Sequence, residues 1–222
     1  MTTATPARTA PEDTLSAAMK KGSAIEHEQA EGSPFMSALL DGRMDADGYI
    51  AYLQRLRLVY AALESTAAKL VGDPIASPII DPALDRLPAI DADLAHWSPG
   101  GAPAFSSPAA TAYAERIAES STWSGTFIAH HYTRYLGDLS GGQAIGRILD
   151  RSFDLDGAGI SFYAFDEIGK VKPYKDRYRD RLDAIGSTLS AADRDRLVDE
   201  VRLAFGFNQS LFVELSELHP GR

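Results

Sequence analysis

Residues 130–147 read His130-His131-Tyr132-Thr133-Arg134-Tyr135-Leu136-Gly137-Asp138-Leu139-Ser140-Gly141-Gly142-Gln143-Ala144-Ile145-Gly146-Arg147, and this stretch decides the architecture. Its pattern is helical, yet four glycines sit inside it, each costing about 1 kcal/mol relative to alanine in a helix interior. Gly137 and Gly141 are four apart, as are Asp138 and Gly142, so backbone rather than side chain lies along one stripe. A flat molecule can approach such a stripe closely, and the helix can kink there. Tight packing of two helices through small residues uses the same spacing. The polar Asp138 and Ser140 suit that reading less well, because a buried carboxylate needs partners or ordered water.

Outward from this stretch, helical periodicity dominates and no clear alternating strand appears. The pattern predicts helices over 14–32, with Thr14 as N-cap, and over 34–40. A long amphipathic helix follows over 45–71, where Tyr49, Tyr52, Leu53, Leu56, Val59, Tyr60 and Leu63 recur at spacings of three and four. Seven of the twelve prolines lie between Pro74 and Pro108, which breaks that region into turns around one short helix at 89–97. Further helices are expected over 109–119, over 122–150 with an interruption in its middle, over 172–185 and over 191–218. A loop is expected at 154–159, and Pro173 belongs in a first turn. The fold class is therefore all-α, in a single domain over 14–218. Residues 1–13, rich in Thr, Ala and Pro, read as a disordered lead-in without an apolar run, and 219–222 as a tail.

Composition narrows the function. The 222 residues suffice for one sizeable core, with 45% hydrophobic and 24% charged residues, as in soluble globular proteins. A net charge of −9 argues against nucleic acid or an anionic membrane as the main partner. The absence of cysteine excludes disulfides, thiolate metal sites, iron–sulfur clusters and a cysteine nucleophile, and fits a cytoplasmic protein. No stretch reaches the roughly 18 apolar residues that span a bilayer.

Five histidines are present, and they differ in surroundings. His219 in the tail and His96 beside Trp97 read as structural or solvated, while His130 and His131 suit a hydrogen-bonded or a ligand role equally. His27 stands out. On a helix Lys20 lies seven residues before it, about 10 Å along the axis on nearly the same face, and Glu31 lies one turn beyond. A carboxylate on the second nitrogen is how proteins orient a metal-ligating imidazole, although a solvated charged face has the same spacing. A third cluster, Lys170-Val171-Lys172-Pro173-Tyr174-Lys175-Asp176-Arg177-Tyr178-Arg179, sets Lys175 and Arg179 on one helical face and suggests an anion site.

Together these segments resemble the heme oxygenase family, in its bacterial, biliverdin-forming form, over about 14–218. His27-x-x-Ala30-Glu31 resembles the family's proximal helix, and Tyr132 to Gln143 its distal-helix signature. Lys175-Asp176-Arg177-Tyr178-Arg179 resembles its propionate-binding helix, and Phe205-Gly206-Phe207-Asn208 is similar to its last core helix. The resemblance implies haem b as both substrate and cofactor, sandwiched between a proximal and a kinked distal helix. It implies His27 as the axial iron ligand with Glu31 behind it, and Lys20, Tyr132, Lys175 and Arg179 on the propionates. Gly137, Gly141 and Gly142 would meet the distal haem face, Asp138 would organise a distal water network as the catalytic residue, and Phe207 and Asn208 would complete the haem pocket. Gly32-Ser33-Pro34 after Glu31 departs from the family pattern and is expected to end the proximal helix early, which bears on the Glu31 contact.

The implied reaction is oxidative opening of haem at the α-meso carbon with O2 and electrons, giving biliverdin, CO and ferrous iron. The electrons must come from an external reductase or ferredoxin, since no flavin, nicotinamide or iron–sulfur motif is present, and Lys20, Lys21, Lys175 and Arg179 could also dock it. A monomer is expected. The same His27 and propionate contacts would serve a protein that stores or senses haem without degrading it, for which Asp138 and its glycine neighbours have no purpose. A helical interaction domain without a cofactor would show no buried polar site.

Overall fold

The computed structural model describes residues 14–219, so the expected lead-in at 1–13 and residues 220–222 of the tail lie outside them. Among the described residues the elements are helical, with no strand. They are α1 (Leu15–Gly22), α2 (Ala24–Glu31), α3 (Pro34–Leu40), α4 (Ala46–Leu70), α5 (Leu87–Trp97), α6 (Pro108–Ala118), α7 (Ser124–His131), α8 (Gln143–Phe153), α9 (Val171–Thr188) and α10 (Ala191–Leu218). Asp45 starts α4 by accepting from the Gly48 amide at 2.9 Å, the expected stripe from Tyr49 to Leu63 is buried, and α4 packs chiefly on α5 and α6. Ser190 caps α10 in the same way, accepting from the Asp193 amide at 3.1 Å. Leu197, Val201, Ala204, Asn208, Leu211 and Leu215 form its buried stripe. Pro173 sits in the first turn of α9, as its missing N–H requires.

The helix expected over 14–32 is two helices, and this break is the main correction to the sequence reading. It falls at Ser23, where φ is −111° and ψ is 15°. The Ser23 hydroxyl and amide both donate to the Met19 carbonyl, at 2.8 and 3.2 Å. Arg202 of α10 donates to the Gly22 carbonyl at 2.7 Å, so the carbonyls freed by the break are satisfied sideways. A Cβ at Gly22 would collide with Val198, which is why glycine ends α1 where α10 crosses it. Thr14 caps α1 as expected.

The glycine-rich helix begins at Ser124, after a 3-10 turn over Glu119–Thr122, and runs on to Phe153. Two five-residue π-type turns, Tyr132–Leu136 and Asp138–Gly142, interrupt it on either side of Gly137. Such turns insert residues into the helical register and are common at functional sites. The loop that follows is folded back by Asp93, fully buried on α5, whose carboxylate accepts from the Ser161 and Phe162 amides at 2.8 Å each. Trp97 donates to the Gly159 carbonyl at 2.7 Å. These bonds set Tyr163 against the Gly142 and Gly146 backbone, where an added Cβ would stand 3.0 and 3.3 Å from the ring.

His130 and His131 are buried and structural. The His130 Nε2 lies 3.0 Å from Glu200, and His131 Nδ1 lies 2.7 Å from the Tyr178 hydroxyl. Burial holds the His131 imidazole neutral, with its pKa lowered to about 3. The unfolded chain titrates this group near 6.5 and so binds a proton there that the folded chain refuses. Its contribution is therefore whole above pH 6.5 and is lost by about 1.4 kcal/mol per pH unit as pH falls toward 3. In urea titrations between pH 6.5 and 4.5, His131→Asn should flatten this slope by about that amount. An unchanged slope would mean that the imidazole protonates in the folded state.

Candidate active site

A cavity of about 820 Å³ opens between α1 and α2 on one side and the two π-type turns on the other, with α4 and α10 closing it. That volume lies in the range of sites that enclose a sizeable organic ligand. Lys20, His27 and Glu31 line it from the α1–α2 side. Tyr132, Gly137, Asp138, Gly141 and Gly142 line it from the turns, and Asn208 and Arg179 from the flanks. Two expected residues stand elsewhere. Lys175 lies off the wall, its Nζ 3.2 Å from Ser140 Oγ. Phe207 faces away: its ring stacks on Tyr113 with centroids 5.2 Å apart and planes at 14°. The helical period explains this, because Phe205, Asn208 and Phe212 follow each other at three and four residues, whereas Phe207 is about 200° from Phe205.

His27 owes its direction to the break at Ser23 and to α10. Gln209 of α10 donates to the Glu26 carbonyl at 3.1 Å and to the Gln29 side chain at 3.2 Å, fixing the rotation of α2. Phe205 meets the imidazole edge-on, with centroids 5.4 Å apart. The Nδ1 lies 3.7 Å from the Glu31 carboxylate, an ion-pair distance rather than a hydrogen bond. That arrangement turns Nδ1 to Glu31 and leaves Nε2 as the ring nitrogen available to a ligand. The helix ends at Glu31, as Gly32-Ser33-Pro34 requires, yet late enough to keep the pair on one face.

Opposite His27 lies a buried polar network. Asp138 accepts from the Tyr60 hydroxyl through Oδ2, and from Arg134 Nη2 at 3.3 Å through Oδ1. Arg134 Nη1 donates to Asn208 Oδ1 at 2.8 Å, and its Nε to the Tyr60 hydroxyl at 3.3 Å. Burial pushes the Asp138 carboxyl above the usual carboxylate range, and Arg134 and the Tyr60 bond pull only part of that back. Burial likewise raises the Tyr60 phenol well above its ordinary value. Asp138 is therefore a buried carboxyl whose proton affinity is raised, at the wall of the cavity. The hydroxyls of Tyr113 and Tyr163 are buried without a hydrogen-bond partner among the described residues, which invites ordered water.

Arg134 and Tyr60 are the members of this network that the sequence reading passed over. The i,i+4 spacing of Arg134 and Asp138 was a signal for the first. Nothing distinguished Tyr60 from the other apolar-stripe residues of its helix.

The walls fit a haem. A Cβ at Gly137 or Gly141 would meet nothing within 4 Å, so bare backbone faces open cavity there. Gly142 differs, since Tyr163 occupies the space beside it. Among the described residues no group of three or more His, Asp or Glu side chains is arranged for a metal ion. His27 stands on the wall outside any such group, as would suit a metal already held by the four nitrogens of a macrocycle. Lys20 and Arg179 line the same cavity and are cations of the kind that would pair with a macrocycle's carboxylates.

Comparison with known proteins gives the same picture over nearly the whole chain. The profile of the family described as Heme oxygenase matches residues 13–214. Heme oxygenase 1 of Homo sapiens is 36% identical over 214 residues, which cover 94% of this chain and 73% of the human protein. Heme oxygenase 1 of Nostoc sp. is 37% identical over 201 residues, covering 89% of this chain and 84% of that protein. Among solved structures, heme oxygenase-1 from the cyanobacterium Synechocystis in complex with heme superimposes with a TM-score of 0.86 at 32% identity, covering 92% of this chain and 93% of that one. Heme oxygenase from Leptospira interrogans superimposes at 0.84 and 29% identity, covering 90% of this chain and 99% of that one. With a family profile matched from Asp13 to Glu214 and relatives above 30% identity along most of their own length, this chain belongs to the heme oxygenase family.

Proposed function

We propose that this protein degrades haem, opening it at the α-meso carbon with O2 and electrons to give biliverdin, CO and ferrous iron, and so releases iron. The observation that carries this reading is the pairing, across one cavity, of the His27 imidazole with the bare backbone of Gly137 and Gly141. Bound haem supplies the redox-active iron at which dioxygen is activated, and the protein supplies position and protons. His27 holds the iron, and Glu31 sets its ring. Lys20, Tyr132 and Arg179 take the propionates, with Lys175 joining from its place beside Ser140, and this seating decides which meso carbon faces inward. Gly137 and Gly141 let the macrocycle lie against the backbone.

Asp138 manages protons. Its carboxyl is buried, raised in proton affinity and held by Tyr60 and Arg134, so it passes protons through cavity water rather than pressing an acid onto the reacting centre. Electrons come from an external reductase or ferredoxin. The cations at the cavity mouth suit an acidic donor, although the propionates claim part of that charge.

The deciding experiment is an absorbance time course of the protein with stoichiometric haemin, an electron donor and air. A Soret band should form, decay and give way to a biliverdin band. A Soret band that persists would make the protein a haem carrier or sensor, and its failure to form would remove haem from the account.

Asp138→Asn keeps an acceptor for Arg134 but not the ionisable group. It should bind haemin within about twofold of the parent and lose at least tenfold in biliverdin yield, the scale of a lost general acid–base group. Undiminished yield would remove the proton role. His27→Ala should weaken haemin affinity by at least tenfold in a fluorescence-quenching titration, and added imidazole should restore the Soret maximum. Retention of parental affinity and spectrum would place the iron on another residue.

A further inference from the structure

Besides Tyr163, which packs on the Gly142 and Gly146 backbone, the cavity wall beside Arg134 carries a phenol that the network described above does not use. Tyr52 lies eight residues before Tyr60 on α4, a little over two turns, and lines the cavity. Its ring is fixed by two aromatic neighbours, Phe35 at 5.2 Å and Phe212 at 6.3 Å between centroids. Its hydroxyl stands beside the Arg134 guanidinium and in the field of Asp138. A guanidinium has donors only. Arg134 can therefore give a hydrogen to the Tyr52 oxygen but cannot receive the Tyr52 proton. The Asp138 oxygens already accept from Tyr60 and Arg134, and Tyr52 donates to no acceptor among the described residues. A phenol in this position is left with its own proton to give.

We propose that Tyr52 is a further positioning residue of the haem site, donating a hydrogen bond to the small oxygen or halide ligand that occupies the cavity on the side opposite His27. This rests on the haem reading above and adds to it a residue outside the glycine-rich segment. Three guanidinium N–H groups of Arg134 are already placed on Tyr60, Asn208 and Asp138, and the Tyr52 side chain lines the cavity with its phenol O–H unassigned. An occupant that accepts a hydrogen bond suits that O–H, and fluoride accepts, carries no proton of its own and can be titrated.

The test uses the ferric haem complex of the full chain, titrated with sodium fluoride at fixed pH and followed by absorbance. Tyr52→Phe keeps the ring between Phe35 and Phe212 and removes only the hydroxyl. It should leave haemin affinity unchanged and weaken fluoride binding about three- to tenfold, the range of one net hydrogen bond. Tyr52→Leu removes ring and hydroxyl and serves as the packing control. Fluoride affinity unchanged in Tyr52→Phe but reduced in Tyr52→Leu would overturn the proposal, since the side chain would then act by packing alone. Fluoride affinity unchanged in both variants would overturn it as well. Absence of a Soret complex in the parent chain would remove the haem reading and this inference together, and is distinguished from the other outcomes before any fluoride is added.

Discussion

The buried pair of Arg134 and Asp138 is the constraint on which the distal side of this protein is built. Taking a guanidinium and a carboxylate out of water costs several kcal/mol per ion, and their mutual attraction offsets this only when the remaining donors and lone pairs are also satisfied. Asn208 and Tyr60 supply those partners from α10 and α4. The pair therefore ties the segment carrying the two π-type turns to the two longest helices. Breaking one side of such a pair costs about 3–5 kcal/mol, more than the roughly 1 kcal/mol that any one glycine in the segment takes away. An irregular, glycine-laden helix is thus held in one register by its polar side chains, since a shift that separated Arg134 from Asp138 would leave a buried charge without its partner.

The opposite side of the cavity follows another logic. No buried charge holds α2, and His27 and Glu31 are both largely exposed, with 59% and 64% of their side chains accessible. Direction comes from backbone carbonyls instead. Arg202 takes the Gly22 carbonyl and Gln209 takes the Glu26 carbonyl, so one face of α10 sets the end of α1 and the rotation of α2. The imidazole is thus aimed by long-range hydrogen bonds to main chain, while the residues around it remain accessible to a bulky ligand.

How much of this was legible in the sequence depends on whether the signal was local. The bare stripe at Gly137 and Gly141 could be read from spacing, because the helical period alone puts i and i+4 on one face. The end of α2 after Glu31 and the place of Pro173 in the first turn of α9 were equally local. The break at Ser23 was not, since neither serine nor glycine at that point compels it without Arg202 and Val198, some 180 residues away. Phe207 was misassigned because the whole motif around it was carried over, where the 200° between it and Phe205 separates them. Tyr52 and Tyr60 share one amphipathic stripe with residues that only pack, and the chain itself gives no mark by which their hydroxyls could be told apart from the rest.

The glycines of the distal segment divide into two kinds by what stands beside them. Gly142 and Gly146 are filled in by Tyr163, whose loop is fastened to α5 through Asp93, whereas Gly137 and Gly141 have open space beside them. A side chain added at Gly142 or Gly146 would have to displace Tyr163, and with it the loop that Asp93 holds, whereas one added at Gly137 or Gly141 would take up only cavity space. Neighbouring positions of one helix thus answer to different parts of the molecule, Gly142 to the packed core and Gly141 to whatever fills the cavity.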